Sequence, residues 1–270
     1  MEFLKIVRHR SFLSEVVYVI LNITLAVAVV LLIRATESPW PAIGLVLLSK
    51  WRVIAVRPRY WFVNLQSNLV DIIVSISFVV FLYTAYGSLA TSGQKLFVII
   101  LSTLLYIGWL LFLKPRSKRS FMIAQAGIAL FVGVASHFML AYEFPMIVIV
   151  ITMWLIGYST ARHVLSSYSE ETHVLFLSQL WGLALAEIGW LAHHWTVAYS
   201  MLGIEGILLP RVAITVLCIS AVAFRCYDAL YHNKKIRKND IMLPILFTFG
   251  IIVILPLVLN LIGISVAIGI

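Results

Sequence analysis

Charge is what this sequence has least of. Only 11% of its 270 residues are Asp, Glu, Lys or Arg, against about a quarter in soluble domains. So few charges leave too little polar surface to keep a globule in water. No stretch outside the apolar runs reaches the roughly 50 residues that a separate soluble domain needs. Acidic residues are scarcer than basic ones, 11 against 20. The resulting +9 would suit nucleic acid, but in an apolar chain Lys and Arg first serve to orient membrane segments, so nucleic-acid binding is not expected. Cysteine is almost missing. Cys218 and Cys226 stand eight residues apart on one apolar run, too far along a helix axis to bond each other. No Cys/His set has zinc spacing, and neither a metal nor another cofactor is expected.

Several catalytic signatures are absent too. There is no G-x-x-x-x-G-K-[ST] to cradle a nucleotide and no H-E-x-x-H to hold zinc. Gly157-Tyr158-Ser159-Thr160 opens like a nucleophile elbow but lacks its closing glycine. The last apolar run has no lysine for a retinal Schiff base, and His137 stands alone in its run. An intramembrane enzyme acting on lipid would have only Asp71, Glu187 and the histidines as acids and bases.

What the chain does have is long apolar runs: 62% of it is hydrophobic, with a mean hydropathy of +1.04. A hydrocarbon core about 30 Å thick takes roughly 20 helical residues. Runs of that kind lie near 14–34, 40–56, 66–86, 96–113, 120–141, 144–162, 173–193, 206–225 and 241–261. The expectation is an all-α, polytopic transmembrane helix bundle of about nine spans, with residues 1–270 as a single integral membrane domain. The second run is the weakest, because Pro39 and Pro41 open it and Lys50 and Arg52 interrupt its far end. In the ninth, Pro256 predicts a kink. The run at 16–33 is longer than the apolar core of a secretory signal and reads as a first span that stays in place.

Basic residues orient these spans. With the N-terminus inside, 17 of the 20 Lys and Arg fall in cytoplasmic segments, and only Arg34, Lys95 and Arg211 fall outside. That asymmetry is what the positive-inside rule produces, and it predicts nine spans, N-in and C-out, in a plasma (inner) membrane.

Polar side chains inside such runs are costly and mark candidate sites. On the third run Asn64, Asn68, Asp71 and Ser75 share one helix face; on the first, Ser11, Glu15, Tyr18 and Asn22 do the same. Both rows lie in the inner half. Glu15, Asn22, Asn64, Asn68 and Asp71 are expected to line a polar cleft open to the cytoplasm, with Asp71 its deepest charge. Toward the outer face, Glu187 and Arg211 are placed at similar depth and are expected to form an ion pair, with Glu205 as a competing partner for the arginine. Ser178, Gly182, Ala186 and Gly189 make a small-residue face that predicts close packing and places the seventh run at the bundle centre.

Three uses fit this pattern. A compact bundle with polar rows in the inner half and charges in the outer half suits a small-solute transporter or permease. A non-catalytic membrane subunit is the second, its basic segments 114–119 and 234–238 docking a membrane or cytoplasmic protein partner or anionic membrane lipid. An intramembrane lipid-modifying enzyme is the third.

Overall fold

The computed structural model describes residues 12–53, 55–88, 92–195 and 210–254. Among them every regular element is helical. The helices are α1 (Phe12–Thr36), α2 (Trp40–Ser49), α3 (Trp61–Ser88), α4 (Ser92–Gly108), α5 (Arg119–Met139), α6 (Met146–Leu165), α7 (Val174–His193), α8 (Arg211–Asn233) and α9 (Lys238–Phe249). Proline marks the boundaries. Pro145 and Pro210 stand directly before α6 and α8, and Pro115 follows α4, because a residue without an N–H suits a helix start and resists continuation.

Among the described residues, seven helices are long and apolar enough to cross a membrane: Ser14–Thr36, Pro58–Gly87, Lys95–Leu113, Arg119–Met139, Met146–Leu165, Val174–His193 and Arg211–Asn233. Their outer faces carry large bare side chains, among them Leu21, Leu31, Phe97, Leu104, Phe176 and Leu191. Such surfaces are stable against lipid and not against water. The chain is an integral membrane protein.

The second expected span takes another form. α2 has ten residues, about 15 Å of helix, half of what a crossing requires. It ends at Lys50, and two 3-10 turns, Trp51–Val53 and Pro58–Tyr60, lead on to α3. Val29 and Ile33, late in α1, share an apolar cluster with Val79, Leu82 and Ala85, late in α3. α1 and α3 therefore run in the same direction, and the chain returns between them through α2 and these turns. Of the ninth expected span, α9 and a π turn, Gly250–Ile254, are described. Residues 255–261 with the expected Pro256 kink, as well as Ser11 and Glu205, lie outside the described residues.

The centre of the bundle is α3 and α5, more than half buried, whereas 28% of α7 is. This corrects the central position expected for the seventh run. Its small-residue face does pack closely, against α6. A Cβ on Gly157 would come within 2.8 Å of Leu185, one on Gly189 within 2.7 Å of Met153, and one on Gly182 within 3.0 Å of Trp154. Each helix thus fits large side chains into the other's glycines, while Leu175, Phe176, Leu180, Leu183, Trp190 and Leu191 of α7 stay exposed.

Alternation of the helices brings the start of α1, α3, α5 and α7 to the same end as the finish of α2, α4, α6 and α8. This basic end carries Lys50, Arg52, Arg57, Arg59, Lys114, Arg116, Lys118, Arg119, Arg162, Arg225 and the 234–238 segment. Arg34, Lys95 and Arg211 lie at the far end.

Candidate functional site

Asp71 sits ten residues into α3 and is 7% exposed. A buried carboxylate is tolerable only when paired and hydrogen-bonded, and here both conditions hold. Lys50, at the end of α2, donates to Asp71 Oδ2. Lys114, just past α4, reaches the same oxygen at 2.8 Å. The indole of Trp109 donates to Oδ1 at 3.0 Å. Lys50 is as buried as the aspartate, while the side chain of Lys114 keeps 32% of its surface open. The cluster carries two ammonium groups for one carboxylate.

A local change of winding builds this site. α4 continues as a π turn, Trp109–Leu113, so that the Lys114 N–H bonds back five residues to the Trp109 carbonyl at 2.9 Å. In an α-helix the Leu110 carbonyl would take that bond. Pro115 has no N–H to offer it instead. The Tyr18 hydroxyl of α1 fills the vacancy, donating to Leu110 O at 2.9 Å. The carbonyls of Leu113 and Arg116 are closed by the Gln125 amide, at 2.6 and 2.8 Å, and His163 meets the other end of Gln125 at 2.8 Å. Three carbonyls at this break, those of Leu110, Leu113 and Arg116, thus have side-chain partners. Tyr106 in the same helix differs: its hydroxyl is buried beside Ser75 and makes no hydrogen bond of good geometry among the described residues.

The other residues expected in the polar cleft lie elsewhere or turn inward on their own helices. Asn68 donates to Asn64 O at 2.8 Å, Asn22 to Tyr18 O at 2.7 Å, and Ser75 to Asp71 O at 2.7 Å. Asn64, Asn68 and Asn22 are half-buried, and Glu15 is exposed. What fills the space in front of Asp71 is a pair of lysines, not an open cleft. In the sequence, Lys50 and Lys114 read only as orienting charges. The available signal was that Lys50 interrupts an apolar run that then resumes.

The expected Glu187–Arg211 pair is not formed. α7 packs on α6, and α8 packs on α5 and α9, so the two residues belong to different neighbourhoods. Arg211 donates to Ile252 O, in the π turn after α9, at 3.2 Å. Glu187 is exposed on the outer face of α7 and makes no ion pair among the described residues.

A second polar group, unforeseen in the sequence, clasps the basic end. Arg119 meets Asp228 of α8 at 2.5 Å and lies over the Tyr168 ring at 4.3 Å; Tyr168 also donates to Asp228, at 2.8 Å. Tyr227 donates to Glu171, and Glu171 also accepts from the His173 N–H at 2.7 Å. These bonds hold the Glu171 carboxyl below its usual range, the Tyr227 bond most. Burial pushes the Tyr168 phenol up to about 12, with its bond to Asp228 acting in the same direction. The clasp ties α5, the α6–α7 loop and α8 together, with Arg119 matched by Asp228 and Glu171 held by hydrogen bonds. Among the described residues, no three His, Cys, Asp or Glu side chains gather as a metal site requires.

In comparisons with known proteins, the chain matches no family model, no curated protein and no solved structure.

Proposed function

We propose that this protein is a permease for a small solute, crossing a plasma (inner) membrane about nine times with its basic end in the cytoplasm. The observation that carries the reading is Asp71, buried in α3 and held by lysines from the ends of two other helices. Such a cluster is a poor stabiliser, because well-packed apolar residues would serve the fold as well or better. Ionisable groups kept inside membrane helices mark solute or ion pathways. Both lysines also sit at breaks in helical winding, Lys50 where α2 gives way to 3-10 turns and Lys114 just after the π turn that ends α4. Broken helices are where transporters build their sites. Parting of Lys50 or Lys114 from Asp71 would open the basic end between α1, α2 and α4.

Flux of a solute panel in proteoliposomes tests this reading. Asp71→Asn is expected to abolish uptake or efflux of whichever solute the wild type moves, while the protein still folds. Normal flux in that variant would sink the proposal.

A specific observation favours a second reading, a membrane subunit. Glu187 lies bare among Leu183, Trp190 and Leu191 on the lipid side of α7. A charge near mid-bilayer costs about 2.5–3.5 kcal/mol on insertion scales, and a cationic residue of a partner helix would remove that cost. Capture after mild solubilisation is then expected to return a stoichiometric partner that is lost with Glu187→Gln. An unchanged, partner-free protein in both cases excludes this reading.

A further inference from the structure

The few cations at the far end need a use other than orientation. Of the 20 Lys and Arg, Arg34, Lys95 and Arg211 are the three that stand against the inside bias. Arg211 donates to Ile252 O. Arg34 is exposed in the last turn of α1, and Lys95 is half-buried in the first turn of α4. Neither forms an ion pair among the described residues, and nor does the exposed Glu37, three residues beyond Arg34. Lys95 lies over the Tyr86 ring at 5.2 Å, a contact that leaves its charge in place.

The same two helices frame an apolar groove that starts midway along both spans and runs toward that end. Val27 and Leu31 of α1 face Ile100, Thr103 and Leu104 of α4 across open space. Thr103 is the one polar side chain in the lining, and its hydroxyl is turned back onto Ile99 O at 2.7 Å, so nothing in the groove attracts water. Late α1 and early α4 close its floor, where Val30, Ile33, Val98 and Ile99 share one cluster. Helical spacing puts the two cations at its mouth. Arg34 follows Val27 and Leu31 at offsets of seven and three, and Lys95 precedes Ile99 and Thr103 by four and eight. Each cation therefore continues a row of lining residues. From Thr103 to Lys95 is about 12 Å of helix, most of one half of a hydrocarbon core roughly 30 Å thick. A fitting ligand is anionic at the far end and apolar over most of one leaflet.

We propose that an anionic phospholipid of the leaflet at the far end occupies this groove, its phosphate between Arg34 and Lys95 and an acyl chain between α1 and α4. The phosphate supplies the negative charge that neither cation finds within the chain. The inference does not depend on solute transport, so its failure leaves the permease reading intact.

Thermal unfolding of the purified full-length chain in detergent tests it. Phosphatidylglycerol, phosphatidylcholine with the same acyl chains, and inorganic phosphate are titrated separately onto wild type and three variants. These are Arg34→Gln with Lys95→Gln, Ile100→Trp, and Lys118→Gln as a control at the basic end. Ile100 is 49% exposed, so its indole replacement fills the groove without entering the core. Phosphatidylglycerol is expected to raise the unfolding temperature of wild type by several degrees, phosphatidylcholine much less, and inorganic phosphate not at all. The double variant and Ile100→Trp are expected to lose most of the phosphatidylglycerol shift, and Lys118→Gln to keep it. An equal shift with phosphatidylcholine would overturn recognition of the headgroup charge. An equal shift with inorganic phosphate would overturn the acyl chain and leave a small-anion site. A full phosphatidylglycerol shift in Ile100→Trp would overturn the groove, even if the double variant failed to fold. A loss in Lys118→Gln as large as in the double variant would overturn the placement at the far end.

Discussion

Asp71 joins three helices through one side chain, which makes its removal asymmetric. Asp71→Asn leaves two ammonium groups facing each other in a buried space and is expected to cost about 3 kcal/mol or more. Replacing the whole cluster with apolar residues (Lys50→Met, Asp71→Leu and Lys114→Met together) is expected to recover most of that loss in thermal unfolding. If the cluster serves transport, flux stays lost in the triple variant; a structural brace would predict its return. Tyr18→Phe strands the Leu110 carbonyl and is expected to cost about 1–3 kcal/mol by the same assay. Glu171 gives a pH signature. Its pKa is lower folded than unfolded, so its stabilisation is complete above the unfolded value of about 4.3 and fades as pH falls through the folded value. Glu171→Gln is expected to flatten the acid limb of the stability profile below about pH 4.3. An acid limb as steep as that of wild type would show that the bonds to Tyr227 and His173 are not what lowers it. At this scale the sequence was half readable. Asp71 stands out as an acid in an apolar helix, but its partners do not, because Lys50 and Lys114 have the same composition and flanks as orienting charges. Only the extra residue in the π turn carries Lys114 inward, and hydropathy does not register winding.

Helix pairs follow rules of shape. α6 and α7 meet through glycines, and this contact was visible in the spacing of Ser178, Gly182, Ala186 and Gly189. Which helix would meet them was not, since a small face specifies closeness without naming its neighbour. The expected depth match of Glu187 and Arg211 failed for the same reason: equal depth says nothing about lateral order. Gly157→Val would drive a branched side chain into Leu185 and is expected to cost about 1–3 kcal/mol, read as a lower unfolding temperature. Gly44→Val, where a new Cβ meets nothing within 4 Å, is the matched control and is expected to be near neutral. Similar losses at both positions would mean that the α6–α7 fit is not what sets stability there. α2 shows the limit of counting apolar residues. The run at 40–56 is apolar enough for a span, yet the prolines at its start and the lysine at its middle divide it into a short helix and turns.

For the whole molecule, the asymmetry of Lys and Arg was legible from the first reading, because orientation depends on charge near span ends and not on packing. The folded chain gathers those residues at one end. Single cysteines at Ser117 and at Glu143, in a background lacking Cys218 and Cys226, are expected to react with an impermeant thiol reagent from opposite sides, Ser117 from the cytoplasm. Labelling of both from one side would refute the alternation of α4, α5 and α6 across the bilayer.

The π turn of α4 has one more consequence. Five residues wound this way hold one residue more than an α-helix needs, a surplus worth about 100° of rotation and 1.5 Å of rise. Trp109 and Lys114, the two ends of that surplus, both grip Asp71. If the slack moved one turn back along α4, the residues between its old and new places, Trp109 among them, would rotate by about 100° while the helix on either side stayed in place. The indole's hold on Asp71 would then be released by a ripple within one strand of backbone, with no need for the bundle to tilt.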